Sequence, residues 1–179
     1  MTKAKQSGSN GKVAAALDTP TDLSDTAVTE ISKALNAILA DTFALFLKTK
    51  NFHWHVSGPR FRDLHLLFDE QAAQILDTTD EIAERVRKIG GTTLRSISHI
   101  SKLQSIEDND EGFVPAPEML SELLNDNKKT IATMRKAHKL CDKHEDVATA
   151  SLLENYIDAG EKRAWFLFEA SQTFGDNAR

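Results

Sequence analysis

Cysteine is almost absent from this chain: Cys141 is the one thiol among 179 residues, which excludes an internal disulfide and leaves the fold to its core. Proline and glycine are scarce too, at four and eight residues, and most of them lie outside the long periodic stretches. Such a distribution favours an all-helical chain. No apolar run approaches the roughly 20 residues that a membrane span requires. The N-terminus has lysines but no apolar stretch of the signal-peptide type, so the expected location is the cytoplasm.

What remains is an ordinary globular composition, 40% hydrophobic and 27% charged, at a length that suits one domain. Charge is unevenly placed. Residues 1–12 hold Lys3, Lys5 and Lys12 and no acid, so the formal net charge of −5 becomes −8 for the rest of the chain. An acidic body suits a protein that collects cations, and a basic tail can touch phosphate. Ser7-Gly8-Ser9-Asn10-Gly11 and Thr19-Pro20-Thr21 divide the sequence into a flexible tail, residues 1–21, and a helical domain, residues 22–179.

Four long helices follow from hydrophobic period. Val28, Ile31, Leu35, Ile38, Thr42 and Leu45 recur at steps of three and four from a start near Ser24–Thr26, and Ser57-Gly58-Pro59 ends that helix after His55. A second runs from about Phe61 to Ile89 and stops at Gly90-Gly91. Ser96–Leu103 forms a short helix within the long connection, with acidic residues 107–111 exposed behind it. A third long helix covers about Pro117–Lys143, and a fourth about Val147–Phe174 with Leu152, Leu153, Tyr156, Ile157, Ala164, Leu167 and Phe168 as its stripe. Four helices with one long middle connection predict a four-helix bundle with a crossover.

The second helix carries His65, Asp69, Asp80 and Glu84, separated by steps of four, eleven and four that return to nearly the same face. Asp69 and Asp80 are roughly 16 Å apart along the axis, while metal–oxygen bonds are only about 2 Å long. One ion cannot take all four within one chain. The pattern does have a midpoint: 65 with 84, and 69 with 80, are both centred between Gln74 and Ile75. Two such helices packed antiparallel about a two-fold axis bring each His/Asp end to an Asp/Glu end of the partner, giving two equivalent sites across a dimer interface. Ala72, Ala73 and Leu76 lie between the pairs and are expected to let the partner helix approach. His53 ends the first helix twelve residues before His65, and a hairpin through Ser57–Pro59 brings the two imidazoles together. Mixed nitrogen and oxygen donors suit iron, manganese or zinc better than magnesium or calcium. No glutamate is followed three residues later by a histidine, so the Glu-x-x-His motif of bundles that hold two metals inside one chain is missing.

The segments Asn51-Phe52-His53-Trp54-His55-Val56-Ser57-Gly58, His65-Leu66-Leu67-Phe68-Asp69-Glu70 and Asp80-Glu81-Ile82-Ala83-Glu84-Arg85 closely resemble the Dps family, the DNA-binding proteins from starved cells, which are ferritin-like mini-ferritins. The similarity runs in helix order from about Leu23 to Phe174. It implies a ferritin-like four-helix bundle with a short extra helix in the middle connection, assembled into a hollow dodecamer. It also implies a ferroxidase site between subunits, with His53, His65 and Asp69 from one chain, Asp80 and Glu84 from the next, and Trp54 beside it. The implied activity is oxidation of Fe(II), preferably with hydrogen peroxide, and storage of Fe(III) mineral, a route that protects DNA from Fenton radicals. Relatives line three-fold pores with acids near the start of the last helix. Glu145, Asp146 and Glu154 are the candidates here, with Ser151 where relatives often have aspartate.

Other residues carry weaker expectations. Trp54 and Trp165 read first as core aromatics and second as radical traps, His55 as a polar surface residue or an extra ligand. His99, His138 and His144 read as structural or solvated groups without partners. The alternative function is non-specific DNA binding and nucleoid compaction through Lys3, Lys5 and Lys12, strongly salt-sensitive and aided by many copies on one particle.

Overall fold

The computed structural model describes residues 15–172 of the chain. Among these residues there are five α-helices, one 3-10 turn at Ala15–Leu17 and no strand. Helix α1 spans Asp25–His55, α2 Phe61–Lys88, α3 Ile97–Leu103, α4 Ala116–Lys143 and α5 Val147–Ser171. Each long helix agrees with its expected period and start. Helix α5 stops three residues before the expected Phe174, which lies outside the described residues.

The helix ends are set by local chemistry. Ser24 caps α1, its hydroxyl accepting from the Ala27 amide at 3.2 Å. Beyond α2, Gly90 takes φ +91°, its amide donates to the Arg87 carbonyl at 3.1 Å, and the Gly91 amide donates to the Val86 carbonyl at 2.9 Å. That is the Schellman arrangement, and glycine is the residue that enters the left-handed region at no steric cost. A β-carbon on Gly91 would stand 2.0 Å from Ser32 Oγ, so this glycine also permits close approach of α1. The α4–α5 turn uses the same bonds, from Glu145 to the Asp142 carbonyl at 3.2 Å and from Asp146 to the Cys141 carbonyl at 3.0 Å. There, however, a glutamate occupies the left-handed position, with φ +58°.

Helices α1 and α2 form one hairpin, α4 and α5 the other, and the long crossover between them carries α3 along α1. Buried Asp41 fastens the crossover, accepting from the Ser105 amide, from Ser105 Oγ at 2.8 Å and from the Ile106 amide at 3.0 Å. One apolar cluster joins Ile31, Leu35, Ile82, Val86, Met134 and Leu153. A second joins Phe52, Leu64, Phe68, Leu120, Leu123 and Leu167 at the other end of the bundle. Polar groups cross the interior as well. Lys48 Nζ meets Asp126 Oδ2 at 2.7 Å, and Arg163 Nε donates to Asn127 Oδ1 at 3.1 Å. Burial pulls the Arg163 pKa down to about 10.

Three inward expectations fail. Phe168 is half exposed, and Trp54 and Trp165 are exposed to 58% and 59%, so neither tryptophan belongs to the core of the protomer. Near the N-terminus, Arg87 Nη2 donates to the Leu17 carbonyl at 2.8 Å and to Thr19 Oγ1 at 3.2 Å, tying this stretch to the end of α2.

Candidate metal centre

Helix α1 delivers His53 in its last turn and α2 delivers His65 in its second. The short connection between them folds the imidazoles face to face, ring centroids 3.9 Å apart and planes 21° from parallel. The Phe61 ring stacks on the outer side of His65 at 5.0 Å. Each ring is held by the backbone of the other residue. His53 Nδ1 lies 2.8 Å from the His65 carbonyl, and His65 Nδ1 lies 2.8 Å from the His53 carbonyl. A carbonyl oxygen only accepts, so both Nδ1 atoms donate. In the neutral rings both Nε2 atoms therefore keep a free lone pair, the arrangement by which ligand histidines are oriented.

Asp69 lies one turn beyond His65, its Oδ1 3.8 Å from His53 Nε2 and 2.6 Å from Lys50 Nζ. The hydrogen bond from Lys50 holds the Asp69 carboxyl below the usual aspartate range; desolvation opposes this, and the Lys50 charge reinforces it. His53 Nε2 and an ionised carboxylate thus lie close together, with His65 stacked on the first ring, and the Asp69 side chain is 53% exposed. Asp80 and Glu84 stand further along the exposed side of α2, with Glu84 paired to Lys88 at 3.1 Å. Among the described residues no three His, Cys, Asp or Glu side chains converge within the protomer. The rise of α2 separates Asp80 and Glu84 from His65 and Asp69, so the two donor pairs on that helix cannot meet within the protomer.

The surface between them is apolar at its centre. Arg62, Leu66, Asp69, Ala73, Leu76, Asp80 and Glu84 form one exposed strip, while Leu64, Phe68, Ala72, Ile75 and Ile82 face inward. Ala72 therefore packs in its own core rather than toward a partner, a correction that follows from its position about 100° around the helix from Ala73. Ala73 and Leu76 share the midpoint of the two ligand pairs.

Trp54 borders an open groove of about 710 Å³ with Phe43, Leu47, Ile97 and Ile100. His55 is exposed and bonds the Asn51 carbonyl at 2.8 Å. His138 and His144 were expected to lack partners, but both have carboxylates. His138 Nε2 lies 2.9 Å from Glu154 and Nδ1 3.1 Å from Asp142, and His144 Nε2 lies 2.8 Å from Glu30. Glu145 is exposed in its turn. Asp146 is buried, accepting from Arg85 Nη2 at 2.6 Å and capping α5 through the Thr149 amide at 3.1 Å. Burial pushes the Cys141 thiol up to about 12. Lys3, Lys5 and Lys12 lie outside the described residues.

Sequence reasoning missed Lys50, although its place three residues before His53, on the same face, was a readable signal. It also missed the backbone lock on the two imidazoles, which depends on the hairpin register.

The Ferritin-like domain model matches residues 32–174. A DNA protection during starvation protein of Brevibacillus brevis is 35% identical over 138 residues, which cover 76% of this chain and 91% of that one. DpsC from Streptomyces coelicolor is similar in structure, with a TM-score of 0.85 and 29% identity over 88% of this chain and 92% of that one. The Dps protein of Vibrio cholerae O1, described as a member of a broad superfamily of ferritin-like diiron-carboxylate proteins, shares the fold at a TM-score of 0.81 and 24% identity, over 87% and 98% of the two chains.

Proposed function

The chain belongs to the Dps family of ferritin-like proteins, and from that premise we propose that it captures Fe(II), oxidises it between paired subunits and stores the Fe(III) product. Iron is the substrate. The observation that carries the reading is the reciprocal lock of His53 and His65, which leaves two free Nε2 donors, that of His53 3.8 Å from ionised Asp69.

Two copies meet along the exposed strip of α2, antiparallel, with Ala73 of one against Leu76 of the other. His53, His65 and Asp69 of one copy then face Asp80 and Glu84 of the second, and the same contact repeats across the axis. Imidazole nitrogen is a good donor for Fe(II), and the carboxylates add negative charge that favours the higher charge of Fe(III). In the empty protein Lys50 neutralises Asp69, and the ammonium swings away as the substrate cation arrives. Hydrogen peroxide takes up two electrons, one from each of two Fe(II) ions, and with two protons yields two waters. Paired donors therefore avoid the hydroxyl radical that one-electron reduction releases.

The fully assembled form is a hollow dodecamer in the cytoplasm, with the mineral inside. Residues 22–179 form the bundle domain. Residues 1–21 form the tail, whose Lys3, Lys5 and Lys12 give salt-sensitive contact with DNA phosphates, in keeping with the DNA-protection name of the Brevibacillus relative. Trp54 stands beside the site, and Glu145 and Glu154 line the approach for cations, with Asp146 holding the turn between them.

The test is anaerobic addition of Fe(II) to the full chain, then titration with peroxide while ferric absorbance and trapped radicals are followed. About two Fe(II) consumed per peroxide, with little radical, is the expected result. Changing His65 and Asp69 to alanine abolishes the fast phase while assembly persists; full activity in that variant would sink the site assignment.

A further inference from the structure

Phe61 opens α2, and His65 stands four residues on, about one turn along the same face. The two rings stack, with centroids 5.0 Å apart and planes 29° from parallel. His65 also stacks on His53 at 3.9 Å. One imidazole face has room for one ring, so His53 and Phe61 take opposite faces and His65 is held between them. Phe61 is 46% exposed and belongs to neither apolar cluster of the bundle, so core packing does not account for its place.

The hydrogen bond from His65 Nδ1 to the His53 carbonyl fixes one edge of the ring but leaves it free to rock about that bond. Stacking on both faces removes this motion. A bound cation makes the demand sharper. When the Nε2 atoms bind divalent ions both imidazoles become electron-poor, and two such rings at 3.9 Å repel each other. The face of a phenyl ring is negative, so its attraction for His65 grows as that ring becomes positive. An aliphatic side chain fills the space without this response.

We propose that Phe61 is a positioning residue of the metal centre, an aromatic backstop that holds His65 against His53 once both rings share the charge of a cation. The inference rests on the iron-oxidation reading above, through its assignment of His53 and His65 as ligands. Phe61 has no donor atom of its own and acts through the ring it backs.

The experiment is an anaerobic titration of the assembled full chain with Co(II) alone, read by the visible d–d bands of the bound ion. In Phe61→Leu the apparent affinity falls roughly two- to five-fold and the bands shift. Phe61→Met, a second side chain without a ring, gives the same result, and Phe61→Tyr keeps wild-type affinity and bands. Melting temperature and assembled mass stay at wild-type values in all three, because Phe61 lies outside both core clusters. Wild-type affinity and bands in Phe61→Leu and Phe61→Met overturn the inference and leave the metal-centre reading intact, as does an equal loss in Phe61→Tyr. A melting temperature that falls in step with affinity overturns it too, since the ring then serves the fold. Wild-type Co(II) binding that His65→Ala leaves unchanged overturns both the inference and the reading beneath it.

Discussion

Lys50 Nζ sits 2.6 Å from Asp69 Oδ1, so the carboxylate beside the two imidazoles is already neutralised by a cation of its own chain. The pair acts as a placeholder that an arriving metal has to displace. It keeps two donor imidazoles and a carboxylate compatible with an empty centre.

Substituting Lys50 by methionine removes that competitor, and the affinity for Fe(II), or for Co(II) as a spectroscopic probe, rises several-fold at neutral pH. The Asp69 carboxyl then titrates higher, because the bond that lowers it is gone. Protonation of Asp69 thus begins at higher pH, and the acid limit of metal binding shifts upward. Anaerobic metal titrations between neutral and acid pH check both effects; an unchanged acid limit would argue against the placeholder.

Because each centre draws on two copies, defects in opposite halves complement. A chain carrying His65→Ala with Asp69→Ala, and a chain carrying Asp80→Ala with Glu84→Ala, are each inactive alone. Random co-assembly makes half the dimers mixed, and each mixed dimer has one intact centre, so about a quarter of the centres recover. Fast ferric formation in the co-expressed mixture measures this. Recovery at zero would mean that the halves do not meet across an interface.

Inside the bundle, Lys48 and Asp126 form an ion pair with side chains 6% and 14% exposed. Burial raises the Asp126 carboxyl despite Lys48, which shows how strongly the site resists an uncompensated charge. Truncating Lys48 to alanine leaves that acid without its cation, and the expected loss is about 3 kcal/mol. Chemical denaturation of the full chain measures it, with Lys48→Ala combined with Asp126→Asn regaining part of the loss.

Glu145 holds a left-handed conformation at φ +58° in a turn whose counterpart after α2 uses glycine. Relief of that backbone strain exceeds the added freedom of the unfolded chain, so Glu145→Gly stabilises the protein by about 0.5–1 kcal/mol. For a chain of this size the melting temperature rises by about 1–4 °C, readable by calorimetry.

The helices were legible because long apolar periods, the Ser24 cap and Gly90-Gly91 all agree, and local signals of that kind survive into the fold. The separation of the two ligand halves was legible for a geometric reason: a helix has a fixed rise, and eleven residues cannot close on one ion. What a second surface does was harder to read. Trp54, Trp165 and Phe168 read as core residues in the sequence, because size and apolarity do not tell an intramolecular contact from an exposed face. Ala72 lies between the ligand pairs in sequence and is small, but one residue turns the helix by about 100°, which takes it into the core while Ala73 stays exposed. The carboxylate partners of His138 and His144 come from other helices, far away in sequence, and no local pattern announces them.

The crossed bonds between the His53 and His65 rings and carbonyls make the donor pair a gauge of hairpin register. Each imidazole is aimed by main chain that belongs to the opposite helix, a partner that no side-chain substitution removes. A one-residue insertion between Val56 and Arg60 would slide α2 against α1, part both rings from their carbonyls and release both tautomers at once. Competence to bind metal is therefore inherited from the spacing of two backbones, and the turn that sets this spacing contains no ligand at all.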